Sequence, residues 1–303
     1  VNNGIATLKW IVGSDCDKQL LRLFLREHCQ ISKKALAEIK FNGGRIFLNG
    51  QEVTVRAMIH EGDQVIIMLP AETVSNAVQP EKVDINIVYE DEHLLVMNKE
   101  AGMATIPSRE HPHHTLANAV LGYYKEKGIP ATFHAVNRLD KDTSGLLVVA
   151  KHRLAHDRLS KLQQVGKLKR YYQAIVEGAV AEKEGTIDAP IARSKDSIIS
   201  REVREGGQRA VTHYKVKATT EHATFVDINL ETGRTHQIRV HFSHLGHPLL
   251  GDDLYGGILD EMNRQALHCY RVEFEHPFNG KVTTFEQGLP EDMRAYLKKW
   301  SME

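Results

Sequence analysis

Residues 134–151 read HAVNRLDKDTSGLLVVAK. Polar residues crowd positions 137–144, Gly145 closes them off, and positions 146–150 follow as an unbroken apolar run of strand length. A charged loop is thereby anchored on a buried strand, an arrangement in which a rigid support fixes where binding and catalytic groups point. Asp140 and Asp142 supply the loop's carboxylates, although Asp followed by Thr-Ser-Gly also forms an ordinary side-chain-closed turn.

Working outward, strand-like runs dominate from Val83 onward: INIVY, HLLVMN, YQAIV, THYKVKA, TFVDINL and HQIRVHF. Helical patterns at HTLANAVLGYYKEK and RLAHDRLSKLQQV interrupt them without regular strand–helix alternation, so the reading is α+β, with helices flanking a mixed sheet. Within the last run, a period of two puts Thr235, Gln237, Arg239 and His241 on one face and His236, Ile238, Val240 and Phe242 on the other. An arginine among such residues is expensive to bury unless a carboxylate meets it, and its fork suits Asp. Spacing alone singles out no particular carboxylate.

Upstream, DKQLLRLFLREH and KKALAEI have helical spacing, Ser32 stands ready to cap the second, and Gly43-Gly44 stops it. RIFLNGQEV then reads as a hairpin, because Asn49-Gly50 tolerates the positive φ values of a two-residue primed turn. GDQVIIML closes this small helix-plus-sheet module near Leu69. Between positions 15 and 45 seven basic residues (Lys18, Arg22, Arg26, Lys33, Lys34, Lys40 and Arg45) face four acidic ones (Asp15, Asp17, Glu27 and Glu38). The module resembles the S4 RNA-binding domain through LLRLFLREH, ISKKALAEI and GGRIFLNGQEV, with Ser-Lys-Lys in place of the commoner Ser-Arg-Ser. The resemblance makes Lys33, Lys34 and Arg45 candidate RNA contacts. Residues 70–82, PAETVSNAVQPEK, carry two prolines and few bulky apolar groups, as linkers do. The expected division is 1–72 for the S4-like module, 73–82 for the linker and 83–303 for the larger domain.

The composition sets outer bounds on this reading. The 303 residues, 42% hydrophobic and 26% charged, belong to an ordinary globular chain. Lys and Arg total 39 and Asp and Glu total 39, so any polyanion site must be a local basic face. Cys16, Cys29 and Cys269 show no CxxC spacing, and no run approaches the roughly 18 apolar residues of a membrane span, so a cytoplasmic protein without a membrane partner is expected.

RLDKDTSGLLVVAK resembles the catalytic motif of the RluA family of pseudouridine synthases, and TGRTHQIRVHFSHLGHPLLGDDLYG resembles a later motif of the same family. LLVMNKEAG, RYYQAIVEG and RQALHCYRVEFEHPFNG extend the likeness from about Val83 to the C-terminus. The resemblance implies a largely antiparallel sheet and isomerisation of uridine to pseudouridine in structured RNA, with large-subunit ribosomal RNA foremost and transfer RNA as the alternative. It makes Asp140 the nucleophile, Arg239 its ion-pair partner and Tyr172 the aromatic on which the base packs. It implies no cofactor and no metal, since the net reaction changes neither oxidation state nor composition, and a monomer is expected.

Arg138, two residues before the nucleophile, is the candidate to fill the gap left by a flipped base, or else a phosphate contact. Lys99 either contacts RNA, buttresses the pocket floor or snorkels at the surface. Asn137 departs from the family's usual His, which alters support of the loop but should leave the chemistry intact. Residue spacing leaves open whether Asp140 attacks the base or the sugar, or removes a sugar proton.

Two other classes compete with this one. The 17 histidines invite a metal hydrolase, but no HExxH or Cys-His spacing assembles a standard zinc site, and the strand reading sends His236 and His241 to opposite faces. Asp252 and Asp253 read as loop braces. A non-catalytic RNA-binding or ribosome-assembly factor would have no reason to keep RLDKDTSG, Tyr172 and HQIRVH together.

Overall fold

The computed structural model describes residues 6–72, 78–195 and 197–302. Residues 73–77 of the expected linker lie outside them. The fold is α+β, built on a mixed sheet whose strands run in space Glu184–Asp188, Val211–Thr219, Ala223–Leu230, Lys169–Glu177, Leu267–Glu275, Ser144–Ala150, Leu94–Lys99 and Asn86–Glu90. Every join in this row is antiparallel except that between Ser144–Ala150 and Leu267–Glu275.

All seven residues of Ser144–Ala150 are buried, which is why its sequence shows no alternation. The parallel join depends on Gly145. Its φ is +114°, and a Cβ there would fall 2.3 Å from the Cys269 carbonyl oxygen. Flanking helices cover the apolar faces. Leu116–Lys127 is capped reciprocally by Thr115 and Asn118 and stopped by Gly128 in the left-handed conformation.

The N-terminal residues have their own sheet, ordered Thr7–Ile11, Gln64–Met68, Arg45–Leu48 and Gln51–Glu52. Their apolar cluster draws on residues from Ala6 to Leu69. Ser32 accepts a hydrogen bond from the Ala35 amide and starts helix Lys33–Phe41, while Asn49 (φ 50°) and Gly50 (φ 82°) form the hairpin turn. The first helical run begins later than its sequence pattern suggests. Gln19–Leu20 pairs as a short strand with Met58–Ile59, and the helix from Leu21 widens into a π turn at Phe24–His28.

This N-terminal unit is packed onto the larger one. Leu154 enters its apolar cluster, and Arg158 donates to the carbonyls of Cys29 (2.6 Å) and Pro277 (2.7 Å) while lying 4.6 Å over the Phe278 ring.

One strand expectation is overturned. Residues 237–244 form the helix Gln237–His244, with His236 at its N-cap in the left-handed conformation. Six consecutive residues, Gln237 to Phe242, are buried, so no polar face betrays the helical period and β-branched residues mimic a strand. Buried polar members find partners instead. The Gln237 side chain donates to the Val211 carbonyl and Thr212 Oγ1, and His241 is engaged by Thr212 Oγ1 and the Ala189 carbonyl.

Candidate active site

Asp140 lies in the loop that feeds Ser144–Ala150, and that loop is held by its own carbonyls. Thr105 Oγ1 donates to the Leu139 carbonyl (2.7 Å), Lys99 Nζ to that of Lys141 (2.9 Å) and Arg264 Nη1 to that of Asp142 (3.0 Å). The Thr143 amide closes the turn on the Asp140 carbonyl. Asn137, where the family's usual residue is His, accepts from the Val148 amide at 2.9 Å and ties the loop's start to the strand it feeds.

The Asp140 side chain is 28% exposed. Its Oδ2 accepts from Arg239 Nη1 at 3.2 Å and lies 3.8 Å from His236 Nε2. No described residue donates to Oδ1, which leaves one carboxylate oxygen open in a partly accessible position.

Helix Gln237–His244 carries Arg239 to this point, and Asp252 fixes it there. Arg239 Nε and Nη2 each donate to Asp252 at 2.7 Å, in the bidentate geometry that planar guanidinium and carboxylate groups favour. Asp252 is fully buried. Burial opposes the charge of Arg239, yet Asp252 and then Asp140 outweigh it and hold the guanidinium's pKa above its ordinary value. Tyr255 packs 4.9 Å from the guanidinium and hydrogen-bonds His236 Nδ1 at 2.7 Å. Burial draws the His236 pKa down, with Asp140 pulling the other way.

The sequence reading took Asp252 for a loop brace. It is instead the principal partner of Arg239, so a fixed cation is shared between a closed carboxylate and an open one. The clue was the requirement that Arg239 meet a carboxylate. A partner 13 positions away in a turn left no local pattern to find it by.

Tyr172 is buried on Lys169–Glu177, beside a register shift against Leu267–Glu275. Its phenol is pushed above the usual range by burial first and then by Cys269, and it also feels the charges of Arg170 and Asp140. The structure thus puts Asp140 and Arg239 in direct contact, and Tyr172 within electrostatic reach of Asp140.

Lys99 is not presented to a ligand. It is 1% exposed and spends its three protons on the carbonyls of Glu100, Met103 and Lys141. Of the alternatives for this residue, buttressing replaces RNA contact. Burial lowers its pKa to about 7, opposed by the charges of Asp142 and Asp140. Arg138 is exposed beside Asp140, and Lys33, Lys34 and Arg45 are exposed on the N-terminal unit.

A cavity of about 370 Å³ lies elsewhere, where Trp10 of the N-terminal unit meets Asp91, His93 and Phe278. Of its two lining carboxylates Glu92 is an exposed surface group and Asp91 is fully occupied: Oδ1 accepts from the His93 and Leu94 amides, and Oδ2 from Tyr89 and His276. Volume and reactivity part company here, and the open oxygen of Asp140 is the better guide to the chemistry.

The histidines flagged by the metal-hydrolase alternative are differently placed from the strand reading. His236 is bound to Tyr255, and His241 is engaged through both ring nitrogens. Among the described residues, the group spaced for a metal ion is Asp15, Cys16 and His28 on the N-terminal unit.

The pattern of the family described as RNA pseudouridylate synthase matches residues 93–244. The chain is 51% identical over 268 residues to the Bacillus subtilis protein named Uncharacterized RNA pseudouridine synthase YjbO, covering 88% of this chain and 95% of that one. It is 40% identical over 263 residues to ribosomal large subunit pseudouridine synthase D of Pseudomonas aeruginosa, covering 82% of each. The solved structure titled Human RNA Pseudouridylate Synthase Domain Containing 4 aligns over 72% of this chain and 94% of that one with a TM-score of 0.60, and its 21% identity makes this a likeness of fold. With the family's pattern spanning the Asp140 loop and helix Gln237–His244, and relatives aligned along most of their length, the chain belongs to the RluA branch of the RNA pseudouridylate synthase family and is an RNA pseudouridine synthase.

Proposed function

We propose that this enzyme converts specific uridines of large-subunit ribosomal RNA to pseudouridine, with Asp140 as the reacting carboxylate. The observation that carries the reading is the asymmetry of that side chain, with Oδ2 on Arg239 and Oδ1 open. A guanidinium beside a carboxylate favours its ionised form, which a nucleophile or base requires. Because Asp252 holds Arg239 from behind, the cation stays in place while charge on Asp140 changes during the reaction. Tyr172 offers a flat face, and stacking a freed base on it is worth about 1–3 kcal/mol while permitting rotation about the ring normal. Arg138, exposed at the same loop, fills the gap in the RNA stack once the uridine is extruded.

The ribosomal assignment is supported by the printed name of the Pseudomonas aeruginosa relative. Residues 1–72 serve as an S4-like RNA-binding module, joined by 73–82 to a catalytic domain at 83–303. The Ser32 cap, the Asn49-Gly50 turn and the exposed Lys33, Lys34 and Arg45 support that part.

The test is release of tritium from ribosomal RNA labelled at uridine C5, which accompanies formation of the new carbon–carbon bond. Asp140→Asn should bind RNA within about twofold of wild type and slow release by about 10⁴-fold or more, the scale on which removing a reacting side chain acts. Conversion by this variant at near wild-type rate would remove Asp140 from the chemistry, and absence of release by the wild type would favour an assembly factor.

A further inference from the structure

Arg170 stands two residues before Tyr172 on the same buried face of Lys169–Glu177 and is 6% exposed. Its guanidinium lies against the loop that leads to helix Gln237–His244: a Cβ built on Gly233 would come within 2.9 Å of one terminal nitrogen and 3.0 Å of the other. Nε is sealed from solvent with no hydrogen-bond partner. No hydrogen bond or ion pair reaches the rest of the guanidinium from any described residue.

The other buried cations of the catalytic region are matched. Arg239 has Asp252 and Asp140, Lys99 has three carbonyls, and Lys151 has Glu90 and the Asp91 carbonyl. A guanidinium whose Nε is sealed and unpaired while its terminal nitrogens keep contact with solvent has donors free for an acceptor that arrives from outside. Arg170 also acts electrostatically on both Tyr172 and Cys269, so its charge is felt by the aromatic two residues away.

We infer that Arg170 is a substrate-binding residue whose guanidinium takes a carbonyl oxygen of the flipped uracil ring lying on Tyr172. The inference rests on the synthase reading of Asp140. A phosphate of the target nucleotide is the other oxygen source, but phosphates remain with the strand outside, whereas the group that reaches the depth of Tyr172 is the base. Uracil carries its acceptors on the rim of the ring, where a residue alongside the stacking face can meet them. The contact also strengthens as the reaction proceeds. The N1–C1′ bond breaks with its electron pair left on the ring, and that charge spreads onto the neighbouring carbonyl oxygens. The ring then turns, C5 bonds to C1′, the C5 proton leaves and N1 takes one up, so composition is unchanged. A preset cation beside the ring oxygens stabilises the charged stage and keeps the free base from escaping.

Single-turnover tritium release and RNA binding are measured for wild type, Asp140→Asn, Arg170→Gln, Arg170→Lys and Gly233→Ala. Arg170→Gln should keep RNA affinity within about twofold and slow release by about a hundredfold, the usual effect of removing one charge-stabilising donor. Arg170→Lys should recover part of the rate. Gly233→Ala, at a position that needs no left-handed backbone, pushes a methyl against the guanidinium and should slow release without touching Arg170 itself. This variant carries the test if Arg170→Gln does not fold. An unchanged rate in Arg170→Gln, or in Gly233→Ala where that variant carries the test, overturns the inference. So does weaker RNA binding with a flatter salt dependence and a normal rate at saturating RNA, which would make Arg170 a phosphate contact. If wild type releases tritium and Asp140→Asn does not, such results sink this inference alone; if wild type releases none, the synthase reading falls with it.

Discussion

The neighbourhood of Asp140 and the basic face of the N-terminal unit handle charge in opposite ways. Beside Asp140 three charged groups are buried and matched: Arg239 by two carboxylates, Lys99 by three carbonyls, Asp252 by a bidentate arginine. Lys33, Lys34 and Arg45 stand in solvent with no ion-pair partner among the described residues. Bond rearrangement needs atoms fixed to fractions of an ångström, which buried pairing supplies. Gripping a polyanion needs only positive charge within reach, and long exposed side chains supply that while adapting to irregular RNA.

The comparison breaks most sharply at Asp252. Replacing it by Asn leaves the Arg239 guanidinium buried with a weakened partner, and disrupting such a pair costs about 3–5 kcal/mol of stability. Tritium release should fall by about a hundredfold or more as Arg239 loses its orientation. Denaturant unfolding and single-turnover rates check both. A variant with wild-type values on each would show that Arg239 is positioned by something else.

An intermediate effect is expected near where the N-terminal unit packs on the larger one, away from both regions. Burial lowers the pKa of His93 to about 4 and of His152 to about 3, and the two rings share a 3.0 Å hydrogen bond beside Phe278. Asp91, His276, Arg158 and Lys151 are the charged or titratable neighbours acting on His93. Both folded-state values lie below the unfolded value of about 6.5, so between pH 6.5 and 4 the unfolded chain binds more protons and stability falls as pH drops. The slope is about 1.4 kcal/mol per pH unit per histidine at most. Urea midpoints at pH 7 and pH 5 measure it, and equal midpoints would mean these rings are not held neutral by the fold.

The smallest effect belongs to the exposed face. Changing Lys33, Lys34 and Arg45 together to Ala should weaken RNA binding and flatten the plot of log affinity against log salt by about 0.7–0.9 for each phosphate left without a cation. Release at saturating RNA should hold within about twofold, since no member of the matched cluster is touched. A lower rate at saturation would mean the basic face takes part in the chemistry after all.

What could be read beforehand follows the same division. The 137–144 loop and the apolar strand after it were legible because a strand buried on both faces needs a continuous apolar run, and Ser144–Ala150 is buried throughout. The hairpin was legible because few residue pairs other than Asn-Gly adopt two positive φ values cheaply. Helix Gln237–His244 departs from the strand expectation for the converse reason: with Gln237 to Phe242 all buried, its polar residues satisfied internally, the helical rhythm of about 3.6 residues never reaches the hydrophobic pattern. The pairing of Asp252 was hidden and the brace role of Lys99 stayed one alternative of three, because their partners are a distant arginine and backbone carbonyls, and carbonyls carry no residue identity to read. The family resemblance brought Asp140, Arg239 and Tyr172 into view, and the coordinates added what holds them.

The carbonyls of Leu139, Lys141 and Asp142 are each captured by a side chain from another part of the fold. Ordering that stretch of backbone sacrifices conformational freedom of about 1–2 kcal/mol per residue. Because the sacrifice is made when the chain folds, an arriving nucleotide meets the open oxygen of Asp140 already in place, and none of its binding energy is diverted to freezing the loop.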